Sequence, residues 1–197
     1  MTNAVEHEKL VINYDEYHAE WYVNGSRKGK KNKRVVDMCL FPVDSFYGKA
    51  GEYEVAYMTG EGETLDEYHT FDWNAARDAY ARMVRTNCPE SWKALIADLK
   101  AAKLIAEAAT GDDGGTCNFD SPALHAPEGM TYEQVRACCK AAGVSCYDWK
   151  PFKKGEKLAV IGCAGIGQAN RRTAGAEAAC AFLQSKGYNC GMYYQMD

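Results

Sequence analysis

The pattern of apolar residues predicts an α+β protein in two parts: an antiparallel β-meander plus two helices over residues 1–110, then a β-α-β-β-α-β unit over residues 111–197. Three observations lead there. Short β-branched and aromatic runs crowd the N-terminal third. Two helical stripes follow them without a strand between. The last part of the chain then repeats itself, twice ending a helix at a glycine and opening a strand with a cysteine three residues on.

The strand candidates of the first part are Leu10–Tyr14, Ala19–Val23, Arg34–Phe41 and Glu52–Met58, each bounded by glycine, asparagine or charged residues. Their short connections favour antiparallel neighbours. Between the second and third runs, Asn24–Arg34 carries six basic residues. No aromatic side chain interleaves them to stack on bases, so the segment reads as a solvated hairpin tip. Asp72 has the position of an N-cap, and Ala76, Tyr80, Met83 and Val84 recur on one helical face. A second helix begins near Pro89 and lines up Trp92, Leu95, Ile96, Leu99 and Ala102 until Thr110-Gly111. Gly111–Gly115 has no periodicity and marks the expected boundary.

Beyond it, Ala137–Trp149 lines up with Ala181–Tyr193, with Gly143 and Gly187 in matching places. Glycine suits a helix C-terminus because it enters the left-handed region without strain. Upstream strands are expected at Thr116–Phe119 and Leu158–Ile161, and helices at about 131–142 and 173–186. Two β-α-β halves in tandem give the ferredoxin-like order, which hosts many unrelated activities.

Composition narrows the class. At 47% apolar and 12% aromatic residues, the 197-residue chain can bury a core, and no apolar run is long enough to span a bilayer. No basic region followed by an apolar stretch opens the sequence, which predicts a cytoplasmic protein. The nine cysteines form no C-x-x-C pair, and His7, His18, His69 and His125 show no ligand spacing. No metal or cofactor is expected, and the cysteines read as buried, reduced thiols. Residues 1–110 hold 14 basic and 18 acidic side chains and carry the whole net charge of −4, while residues 111–197 hold nine of each. Neither part is basic, so nucleic acid is not an expected partner.

The segment Gly162–Thr173 carries the functional reading. Its G-x-x-G-x-G spacing does not match the dinucleotide fingerprint. Gly165 and Gly167 nevertheless allow close backbone approach, and a helix N-terminus leaves unpaired N–H donors. Gln168 and Asn170 add amides, Arg171 and Arg172 add guanidinium groups suited to phosphate or carboxylate, and Thr173 is a candidate cap. Cations oppose the helix dipole at this end, and an anionic ligand would resolve that conflict. A solvated turn with outward arginines is the plain alternative. On the neighbouring strand candidate, Asn118 and Asp120 could face the same ligand, or stand as polar groups on an exposed sheet face. Asp66, Glu67, His69 and Asp72 cluster in sequence, where capping and strand alternation account for them. No G-x-S-x-G elbow is present, and nothing argues for catalysis.

Gly115–Leu124 and Gly187–Asp197, the latter ending Tyr-Tyr-Gln-Met-Asp, resemble the corresponding parts of small proteins encoded by phages and prophages of gut bacteria. The likeness covers the part after Gly111 and implies an accessory protein that counters host defence. The leading expectation is a non-enzymatic binder of an anionic, nucleotide-like small molecule, such as a host immune signal. The alternatives are an inhibitor that contacts a host protein through its acidic first part, and a small phosphoester-acting enzyme. Assembly into a homo-oligomer stays open.

Overall fold

The computed structural model of the chain describes residues 17–22, 33–40, 51–59, 62–109, 111–112, 114–115, 119–149, 158–162 and 169–194. It is a mixed α and β structure with four helices and two antiparallel four-stranded sheets among those residues. The predicted strand at Leu10–Tyr14 lies outside them, as does the basic loop up to Asn32.

The first sheet holds β1 (His18–Tyr22), β2 (Lys33–Leu40), β3 (Tyr53–Thr59) and β4 (Thr64–Thr70) in that order, each antiparallel to its chain neighbour. β4 is a seven-residue strand over the stretch where the sequence shows strand alternation at Asp66, Glu67 and His69 before the cap at Asp72. It sits at a sheet edge among the described strands and is largely exposed, so it needs little of the apolar alternation that betrays β3. Asp72 then caps α1 (Trp73–Asn87), its Oδ1 accepting from the N–H groups of Asn74 (2.7 Å) and Ala75 (3.2 Å). Such a cap contributes about 1 kcal/mol. α2 (Glu90–Ala108) follows Pro89, and every residue of both predicted stripes is buried.

The second sheet is built from β5 (Ser121–Leu124), α3 (Tyr132–Ala142), β6 (Ser145–Trp149), β7 (Leu158–Gly162), α4 (Ala169–Ser185) and β8 (Cys190–Tyr193). Its strand order is β6-β7-β5-β8, with all pairs antiparallel. Two expectations need correction. The first strand is Ser121–Leu124, and Phe119, the described end of the predicted Thr116–Phe119 run, is in no strand. Pairing to β7 begins only at Ala123, just after the proline that has no N–H to give. The second correction is that α4 starts at Ala169 rather than Thr173. The helix ends do follow local chemistry: Thr131 and Gln134 form a capping box, and Gly143 (φ 70°) closes α3 in the left-handed region.

One hydrophobic cluster joins the two sheets. It runs from Tyr17 and Val55 through Tyr80, Trp92 and Leu99 to Val135, Ile161 and Leu183, so the core continues across Gly111. Tyr17 anchors its first end, edge-on to Trp73 (5.2 Å) and Tyr80 (5.6 Å). No described helix is long and apolar enough to cross a membrane.

Cys88, Cys138, Cys139, Cys146, Cys180 and Cys190 are buried and not in disulfides; the side chains of Cys39, Cys117 and Cys163 lie outside the described residues. Burial pushes the Cys88 thiol up from 9.0 to about 11 and also raises Cys138. A raised thiol pKa means that the fold favours the neutral form. That contribution is intact below pH 9.0, where both states are neutral, and is lost as pH rises toward about 11 because the unfolded chain ionises first. Urea midpoints should therefore fall over that alkaline window. A Cys88→Ala chain, lacking this titration, should show a shallower fall; an identical profile would sink the assignment.

Candidate functional site

The start of α4 gathers several of the predicted residues and uses them internally. The Asn170 N–H donates to the Gly114 carbonyl (3.2 Å) and the Arg171 N–H to the Asp112 carbonyl (3.1 Å). Asp112 Oδ1 also accepts from the Asn170 side-chain amide (2.9 Å) and from the Gly114 N–H (3.2 Å). Asp112 and Gly114, within the run that marks the expected boundary, thus cap α4. The glycines of that run permit the approach: a Cβ on Gly111 would lie 2.8 Å from the Arg171 Cα, and Gly115 has φ 110°.

Deeper in, Asp120 is 5% exposed, and its Oδ2 accepts from the Thr173 hydroxyl at 2.7 Å. That hydroxyl also lies 3.2 Å from the Ala169 carbonyl, so Thr173 belongs to the helix body and is not its cap. Two carboxylates, Asp112 and Asp120, therefore supply the negative charge that this helix end favours. Arg171 is exposed, and Arg172 lays its guanidinium over the Phe119 ring (5.4 Å), with a buried Nε that has no hydrogen-bond partner among the described residues. Asn118, Gly165, Gly167 and Gln168 lie outside the described residues.

A second site was not anticipated. A cleft of about 350 Å³ opens between α1, α2 and the C-terminal end of α3. Arg77 and Arg85 reach it from α1, Lys100 from α2 and Lys140 from α3, against Asp78, the one carboxylate among the described residues of its lining. Helix ends explain part of this charge. Arg85 Nη1 donates to the Ala141 carbonyl (2.7 Å), and beside the cleft Lys103 Nζ donates to the Gly143 carbonyl (3.1 Å), satisfying groups that a helix C-terminus leaves open. Lys140 stands 4.8 Å over the Tyr17 ring. Arg77 and Lys100 are exposed and have no such employment among the described residues.

One trace of the cleft was visible beforehand: Arg77, Ala81 and Arg85 are spaced by four, one strip beside the buried stripe of α1. Its convergence with lysines 23 and 63 residues beyond Arg77 was not. On the first sheet, Glu54, Glu67 and His69 bring ligand atoms within 4.8 Å of one another. His69 also lies 3.9 Å from both Glu52 and Glu67. Cross-strand pairing of Glu54 with His69 places these groups on one face, and Asp66 and Asp72 of the sequence cluster stand apart from them.

Comparison with protein-family models, with curated proteins and with solved structures finds no match for this chain.

Proposed function

We propose that the protein binds an anionic, phosphate-bearing small molecule of nucleotide-like charge and does not transform it. One observation carries this reading: among the described residues that line an open cleft, four cations from three helices stand against one carboxylate, in a chain whose net charge is −4. An acidic protein that concentrates positive charge in one concavity raises the local concentration of anions there. The β-α-β-β-α-β order and the β6-β7-β5-β8 sheet support a ferredoxin-like reading of the second part, which supplies α3 and its C-terminal wall. Sequestration of a host signal by a phage accessory protein is the role that the likeness of the C-terminal segments suggests.

Titration calorimetry with ATP at low salt tests this. Each cation that donates a charge-assisted hydrogen bond contributes about 1.5–3 kcal/mol. Removing two by Arg77→Ala with Lys100→Ala should weaken binding by on the order of a hundredfold or more. Arg171→Ala with Arg172→Ala should change it by less than about threefold, because the backbone amides at that end already have partners. Nucleotide recovered intact after denaturation means binding, and altered nucleotide means catalysis. A wild-type chain that binds no anion at all ends the proposal.

A further inference from the structure

We infer that the cleft reads a chain of phosphoryl groups and does not read a nucleobase. The inference rests on the anion-binding reading above and narrows its ligand. Arg77, Lys100 and Lys140 reach the cleft from three different helices. An orthophosphate offers them a single phosphoryl group. A linear di- or triphosphate carries negative charge on each successive phosphoryl group and can meet all three. The volume of about 350 Å³ is near the lower end for small-molecule pockets, which suits such a chain.

Base recognition needs an aromatic face for stacking or side chains that match the base edge. Tyr17 is the aromatic residue among the described residues of the lining, and it is 6% exposed, with Trp73 and Tyr80 against its ring and the Lys140 ammonium above it. It offers no free face. Much of the α3 side of the wall is small: Ala141, Ala142 and Gly143. The negative end of α3 opposes an anion here, but Arg85 and Lys103 already donate to its Ala141 and Gly143 carbonyls.

The test is calorimetry on the full chain at low salt with orthophosphate, diphosphate, triphosphate, ATP, GTP and citrate as probes. Triphosphate, ATP and GTP should agree within about threefold, and orthophosphate should bind at least about tenfold more weakly. Arg77→Gln with Lys100→Gln should lower triphosphate affinity on the order of a hundredfold while the melting temperature holds, since both side chains are exposed. Lys93→Gln, which removes an ammonium paired with Glu90 and absent from the cleft lining, should leave affinity unchanged. A tenfold preference between ATP and GTP, or citrate binding as tightly as diphosphate, would overturn the phosphate-chain inference and leave anion binding standing. Silence across the whole panel would overturn both.

Discussion

A fragment beginning at Gly111 is expected not to fold. The full chain should lose structure in one cooperative urea transition, whereas residues 111–197 alone should show none and should bind a hydrophobic dye. The reason lies in what α2 covers. Val135, Cys138, Cys139 and Leu183 belong to the same buried cluster as Trp92, Leu95 and Leu99. Polar ties cross the cut as well. The Tyr188 hydroxyl donates to Asp98 (2.8 Å), a contact that together with burial raises its pKa, and Arg85 and Lys103 satisfy the end of α3. Each large apolar side chain returned to water loses roughly 1.5–3 kcal/mol. About four of them therefore equal the ~5–15 kcal/mol that holds an ordinary domain together. A dispersed NMR spectrum and a cooperative melt from the fragment would show instead that the second sheet supports itself.

Gly175→Leu should be the most damaging single substitution at the contact between α2 and α4. A Cβ on Gly175 would lie 2.9 Å from the Ala106 carbonyl oxygen and 3.6 Å from its carbon. Both partners are helix backbone, so relief requires the two helices to separate, and no side-chain rotamer can supply it. Separation opens voids beside Ala102, Ala176 and Ala179, all buried. The expected loss is about 3 kcal/mol, at the upper end for an overpacked core. Gly175→Ala should lose much less, because alanine regains up to ~1 kcal/mol of helix propensity against the same overlap. Urea midpoints for the two variants measure the difference. A Gly175→Leu chain as stable as the parent would mean that the helices do not approach this closely.

What the sequence determined by itself is what lies within one helical turn or one pleat. The stripes of α1 and α2, the cap at Asp72 and the helix-ending Gly143 and Gly187 all follow from neighbours at most four residues apart. Strand β7 was legible for the same reason: Leu-Ala-Val-Ile is buried and apolar throughout. The readings that failed involve partners far along the chain. α4 shows no N-terminal signal at Ala169 because its capping groups are Asp112 and Gly114, more than fifty residues earlier. For that reason the Gly111–Gly115 run shows in the sequence only as an aperiodic boundary, and Arg171 and Arg172 read as cations at an uncapped helix start. β4 showed only as the alternation of Asp66, Glu67 and His69, because an exposed edge strand can be polar on nearly every residue. The cleft was illegible for a further reason: Arg77, Lys100 and Lys140 are ordinary surface cations on their own helices. Only the packing of α1, α2 and α3 around one core turns them toward the same space, where their charges act together.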